Sequence, residues 1–205
     1  LEHFTRLEPI ATFPQNRLAA QVGQMRSLKE LGRSADAAKA AAKVSANPDA
    51  TADLKSEANM AVAKDLLDRN DLDAAFAKYK AITSASTNSL GAEAKYSMAY
   101  VRYLQQRYTD TEKEVFDLVK KYPAYDYWKA KSFILLADAY VKLDDRFQAK
   151  AALQGVIDNS EDPELVAQAR QRLQAINASE VQQTTPTPQE DLVVPMPGTD
   201  NTYEE

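Results

Sequence analysis

The segment 92–123 reads AEAKYSMAYVRYLQQRYTDTEKEVFDLVKKYP: two stretches of regular apolar spacing, joined by the polar link Gln106-Arg107-Tyr108 and closed by Pro123. Over Ala92–Gln105 the apolar residues recur every three to four positions, which predicts an amphipathic helix. The skeleton of the segment is Ala99, Arg102 three residues on, Thr111 nine further, and Val115 four beyond. The same spacing occurs at Met25, Leu28, Ala37 and Ala41; at Ala63, Leu66, Ala75 and Tyr79; and at Ala137, Tyr140, Ala149 and Leu153. The second small positions, Ala37, Ala75, Thr111 and Ala149, lie 38, 36 and 38 residues apart. Repetition at such a period predicts stacked helical hairpins, none of which can bury its apolar face without a neighbour.

Close packing accounts for the pattern. Antiparallel helices approach to roughly 8–10 Å only where small side chains meet, so Ala63 with Ala75, and Ala137 with Ala149, are expected to face each other within a hairpin. Leu66, Tyr79, Tyr140 and Leu153 are expected to fill the space between hairpins. Leu31-Gly32-Arg33-Ser34, Arg69-Asn70-Asp71 and Leu143-Asp144-Asp145-Arg146 take the place of Gln106-Arg107-Tyr108 in the other units. Short polar links are usual between antiparallel helices.

These residues resemble the tetratricopeptide repeat family, a helix-turn-helix unit of usually 34 residues. Segment 92–123 matches it residue by residue, with Pro123 where the family's terminal proline stands. Residues 130–157, AKSFILLADAYVKLDDRFQAKAALQGVI, are also close; Ser56 to Ile82 is a fair match, and Leu18 to Val44 a weak one with Met25 at a small position. Thr111 for alanine, Arg102 for an aromatic, and units two to four residues too long depart from the family pattern. The resemblance implies an all-α, right-handed α-solenoid of about four repeats over residues 18–176, ending in a capping helix from Pro163 to Ile176. The phrases 91–96, 127–138 and 148–154 also resemble the C-terminal part of long bacterial cell-envelope tetratricopeptide proteins, which implies a periplasmic or envelope setting, with a cytoplasmic one left open.

Composition agrees with helix. The chain has 205 residues, 44% of them hydrophobic, and only five glycines. No stretch approaches the roughly 18 consecutive apolar residues of a membrane span. The net charge of −5 comes from residues 177–205, which hold six acidic residues, no Lys or Arg, and four of the nine prolines. That composition predicts a disordered acidic Pro/Thr-rich tail whose one apolar patch is Leu192–Pro197. Residues 1–17 read as a remnant helix of a preceding repeat, or a linker, with Leu1, Phe4 and Leu7 on one face. The start at Leu1 instead of Met is read as a processed or excised end, with further repeats upstream.

The chemistry-bearing residues are sparse. With no cysteine and His3 as the single histidine, neither a histidine-based triad nor a Cys/His zinc site can be assembled. The five glycines form no phosphate-cradling loop, and Asp144-Asp145 and Asp65/Asp68 read as solvated charges. A repeat body with 24 acidic and 25 basic residues offers no field for nucleic acid. The expectation is therefore a non-enzyme with no cofactor and no metal.

In the family that the chain resembles, positions 2, 5, 9, 12 and 13 of each first helix line a concave groove that takes a protein segment. Carried over, they imply a partner-binding groove of Tyr96, Tyr100, Tyr103, Lys64, Lys131, Asp138 and Lys142. The three tyrosines share one helix face by their spacing of four and three; core packing and a partner-facing aromatic patch both fit that stripe. Position 5 holds Val22, Met60, Tyr96 and Ile134, so the asparagines of a carboxylate clamp are absent. The aromatic link Lys121–Trp128 reads either as a seal between units or as an exposed contact ridge. Two other functions stand beside protein binding: self-association into a homodimer through exposed repeat ends near Leu18 and Val22, and a tyrosine-lined groove for a small ligand or glycan.

Overall fold

A computed structural model describes residues 1–184. Among them lie ten α-helices and no strand: α1 (Glu2–Ile10), α2 (Pro14–Glu30), α3 (Ser34–Ala46), α4 (Ala52–Asp68), α5 (Leu72–Ala85), α6 (Ser89–Leu104), α7 (Tyr108–Lys121), α8 (Asp126–Lys142), α9 (Arg146–Asn159) and α10 (Pro163–Thr184). Each helix packs on the next. Beyond these sequential pairs, close backbone contacts join α2 to α4, α4 to α6, α6 to α8 and α8 to α10, while among the described residues the odd-numbered helices reach one another only through long side chains, as Lys43 of α3 reaches Glu8 of α1. The even helices therefore form a tight inner layer and the odd helices a splayed outer layer, as a curved all-α solenoid requires.

The periodic residues do what their spacing predicts. Ala37, Ala63, Ala75, Ala99, Ala137 and Ala149 are all buried, and Met25 fills its small position without being pushed to the surface. Thr111, the departure from alanine, is 0% exposed, and its hydroxyl donates to the Arg107 carbonyl at 3.2 Å. Its burial is thus satisfied by a hydrogen bond within its own helix. Arg102, the departure from an aromatic, lays its guanidinium 3.7 Å from the centroid of the Phe76 ring on α5. A planar cation can replace a ring there by stacking on one.

Four turns repeat the same backbone. Gly32, Asn70, Gln106 and Asp144 all take positive φ, between 58° and 67°. At each, two hydrogen bonds close the end of the preceding helix: Arg33 N–H to Leu28 and Gly32 N–H to Lys29, with counterparts at Asp71/Leu66, Arg107/Arg102 and Asp145/Tyr140. This is the left-handed C-terminal cap that satisfies the last helical carbonyls. The following helix then starts in one of two ways. In α5 and α9 the carboxylates of Asp71 and Asp145 accept from Ala74 and Gln148 backbone N–H groups. In α3 and α7 the position is Arg33 or Arg107, which pairs three residues on with Asp36 or Asp110. Alternate units thus match best, a doubling of the basic period.

The ends differ from expectation. α2 begins at Pro14 rather than near Leu18, with proline in the first turn, where its missing N–H costs nothing. α1 packs on α2, and Val22, expected at an exposed end, is buried. Glu8 of α1 accepts from Gln21 and Gln24 of α2 and pairs with Lys43 of α3 at 2.8 Å. These bonds, the one to Lys43 foremost, hold its carboxyl below the ordinary carboxylate range. The terminal helix runs to Thr184, eight residues past Ile176. No glycine or proline occurs between Pro163 and Pro186 to stop it, and Glu180 pairs with Lys150 of α9 at 2.7 Å. The Leu192–Pro197 patch lies outside the described residues.

Candidate functional site

The inner layer carries a ladder of bridges, one between each pair of neighbouring even helices. Arg26 of α2 grips Glu57 of α4 with both Nε (2.8 Å) and a terminal nitrogen (2.7 Å), and that bidentate bond raises the Arg26 pKa and lowers that of Glu57. Lys64 of α4 reaches Glu93 of α6 at 2.7 Å. Asp138 of α8 accepts from Arg172 of α10 at 3.0 Å. The first two join position 9 of one unit to position 2 of the next. At the corresponding step from α6 to α8 the residues are Tyr100 and Lys131, and no such ion pair can form.

There the bridge is aromatic. The Tyr96 and Tyr100 rings are stacked, 6.5 Å apart and 7° from parallel. Tyr96 also lies 5.5 Å from Trp128 of α8, which meets Tyr127 edge-on at 5.0 Å. The ammonium of Lys131 sits among these rings, 5.1 Å from Tyr96, 5.3 Å from Trp128 and 5.6 Å from Tyr127. Such distances lie within the range of a cation–π attraction. Among the described residues no carboxylate is within ion-pair distance of Lys131. Burial pushes the Tyr96 phenol up to about 12, so it stays neutral.

The inner surface divides into two clefts. One, of about 400 Å³, is lined by Lys64, Glu93, Tyr96, Tyr100, Trp128 and Lys131, with Leu67 and Asp68 on its α4 wall. The other, of about 260 Å³, holds Tyr103, Asp138, Val141 and Lys142 against Arg172 and Ile176. So the sequence-derived groove residues do not make one surface. Tyr96, Tyr100, Lys64 and Lys131 meet in the first cleft; Tyr103, Asp138 and Lys142 meet in the second. Lys64 and Asp138 are engaged in the ladder, and Lys142 is exposed.

The aromatic link 121–128 splits between its two readings. Tyr122 is buried, with its hydroxyl donating to the Ser86 carbonyl at 2.9 Å and Tyr125 against its edge. This half is a seal. It is tight enough that a Cβ on Gly91 would lie 2.3 Å from the Ser86 carbonyl oxygen and 2.7 Å from the Tyr122 hydroxyl. Tyr127 and Trp128 turn instead to the inner face. Neither ring occupies a groove position by family register, although Trp128 stands three residues before Lys131 on the same helix, a spacing that puts the two on one face.

Elsewhere, Lys95 of α6 is buried, facing outward, and is neutralised by Glu114 (2.5 Å) and Asp117 (3.2 Å) of α7. Among the described residues no group of three His, Asp or Glu side chains is gathered that could hold a metal ion, and no helix is long and apolar enough to cross a membrane.

No protein-family model matches the chain, and no curated protein matches its sequence. Among solved structures, the crystal structure of MamA aligns with a TM-score of 0.54 and 17% identity, over 78% of this chain and 95% of that one. MamA is a TPR-like helical repeat protein. At that identity the likeness speaks for the fold: the chain is an all-α solenoid with a TPR-like helical repeat fold.

Proposed function

We propose that the chain is a non-catalytic interaction scaffold that binds a polypeptide segment along its inner face, between α4, α6 and α8. The observation that carries this reading is the broken step in the ladder. Where the neighbouring steps neutralise their charges, Tyr96, Tyr100 and Trp128 instead form an open aromatic floor around the unpaired cation of Lys131. Rings lying against a half-desolvated cation suit a segment that places an apolar side chain beside a carboxylate. The TPR-like fold supports the reading, since an inner concave layer is the surface such solenoids present.

Selection of a random displayed-peptide library against the protein tests it. Wild type is expected to enrich peptides that carry Asp or Glu next to apolar residues. Lys131→Glu is expected to lose the acidic bias, and Tyr100→Ala to lower enrichment at least tenfold, with circular dichroism verifying that both variants are folded. Equal enrichment by all three proteins would overturn the reading.

A second reading, self-association, draws on the opposite end. Phe4 and Phe13 line a cleft of about 1270 Å³ there, whose wall includes Leu18 and Val22, and Leu7 and Ile10 of α1 are exposed as well. Exposed apolar residues grouped in this way mark contact surfaces. A concentration-dependent mass by light scattering, abolished by Phe13→Ser and unchanged by Tyr100→Ala, is the result this reading requires.

A further inference from the structure

We infer that the chain carries its own occupant for the inner-face cleft: the segment Glu190–Pro197, EDLVVPMP, docks against Tyr96, Tyr100, Trp128 and Lys131. This rests on the reading that the cleft takes a polypeptide. The first argument is chemical. Residues 185–205 hold five carboxylates (Glu190, Asp191, Asp200, Glu204 and Glu205) and no Lys or Arg, and their one apolar run, Leu192-Val193-Val194, directly follows Glu190-Asp191. The cleft offers the complement in the same order of adjacency, an unpaired ammonium on Lys131 beside three rings and Leu67.

The second argument is reach. Ser179 and Lys142 line the same cleft near the C-terminal ends of α8 and α10, which run parallel. From there to the end of α10 is five helical residues and back to Lys131 is eleven, about 24 Å at roughly 1.5 Å per residue. Crossing from α10 to the α6–α8 step adds about 10 Å sideways, a direct span of about 26 Å. The six or seven residues from 185 to Glu190 or Asp191 cover about 20–25 Å when extended, and the long side chain of Lys131 together with that of the carboxylate closes the few ångströms that remain. Leu192 can therefore arrive at the rings with Glu190-Asp191 beside Lys131, and nothing in the fold has to open. A tethered segment competes at the millimolar effective concentration of a short linker. A partner of the same chemistry would then bind by displacing it, at an affinity lowered by the occupied fraction.

The test uses the full chain, which has no native cysteine. A nitroxide on Thr199→Cys is expected to broaden the backbone amide NMR signals of Tyr96, Tyr100, Trp128 and Lys131 by more than half, while those of α5 and α9 keep their intensity. Glu190→Lys/Asp191→Lys, which alters none of residues 1–184, is expected to restore the lost intensity, and so is Lys131→Glu. Absence of broadening at the cleft overturns the inference. So does equal broadening when an isotope-labelled chain without the nitroxide is mixed with an unlabelled chain that carries it, because the occupant is then a second copy. If the cleft signals stay sharp but shift on adding a library-selected acidic peptide, the groove reading stands and this inference fails. If they do neither, both fail.

Discussion

Replacing Ile82 by alanine probes the solenoid at its middle. Ile82 is 0% exposed and belongs to the cluster that joins α4, α5 and α6 through Met60, Ala63, Tyr79, Met98 and Val101. Three carbons are removed, worth about 2.4 kcal/mol at roughly 0.8 kcal/mol each. A residual cavity adds about 1 kcal/mol or more at roughly 24 cal/mol per Å³, for a total of about 3–4 kcal/mol. With an m-value of about 2 kcal/mol/M in urea, the midpoint should fall by roughly 1.5–2 M. Two probes report separately. Far-UV circular dichroism follows all the helices, whereas Trp128, the sole tryptophan, follows the α6–α8 step. Stability in a solenoid is passed between nearest neighbours, and Ile82 of α5 is coupled to Trp128 of α8 through the one intervening unit, α6–α7. Both transitions should therefore move to lower urea, the dichroism more than the fluorescence. A shift below about 0.5 M by dichroism would refute the packing account, and an unmoved fluorescence transition would refute the coupling between units.

Gly32→Ala should destabilise by about 1 kcal/mol, because its φ of 67° strains any L residue. Gln106→Gly, at the same turn position with φ of 60°, should stabilise by roughly 0.5–1 kcal/mol, and a thermal melt reads both signs. Gly91→Ala should unfold the seal at the α5–α6 link, since its Cβ would meet the backbone carbonyl of Ser86, which cannot swing aside as a side chain would; a loss of protection of the neighbouring amides in hydrogen exchange checks it. Burial raises the Tyr79 and Tyr96 phenols from 10.0 to about 12. The unfolded chain therefore ionises first, and the stability these rings contribute is complete below pH 10 and lost as pH rises from 10 to 12. Urea midpoints across that range, compared with Tyr96→Phe, measure the loss. Glu8 behaves oppositely, because its carboxyl is lowered from 4.5. Its contribution is full above pH 4.5 and is lost as pH falls through its lower folded value, so Glu8→Gln should flatten the acid limb of the stability curve.

The architecture was legible because close helix approach leaves no alternative to small residues at Ala63, Ala75, Ala137 and Ala149, and that requirement repeats along the chain. The turns were legible as links but not in conformation. Gln106 and Asp144 adopt the left-handed region without being glycine, so only the backbone reveals that all four turns are alike. The end of α10 was misplaced because polar composition after Ile176 was read as a tail, although nothing in residues 177–184 breaks a helix. The inner ladder was legible in its parts alone. Arg26, Lys64, Glu57 and Glu93 occupy groove positions by register, but pairing them across 29 to 31 residues requires knowing which helices are neighbours. For the same reason the sequence did not show that Lys131 breaks the series.

The central claim, that the inner layer at the α6–α8 step is the binding surface, is tested most directly by mapping amide chemical-shift changes as a library-selected acidic peptide is titrated into the protein. The largest shifts are expected at Lys64, Tyr96, Tyr100, Trp128 and Lys131, on α4, α6 and α8. Shifts confined to the outer helices α5, α7 and α9, or to the cleft around Phe4 and Phe13, would contradict it.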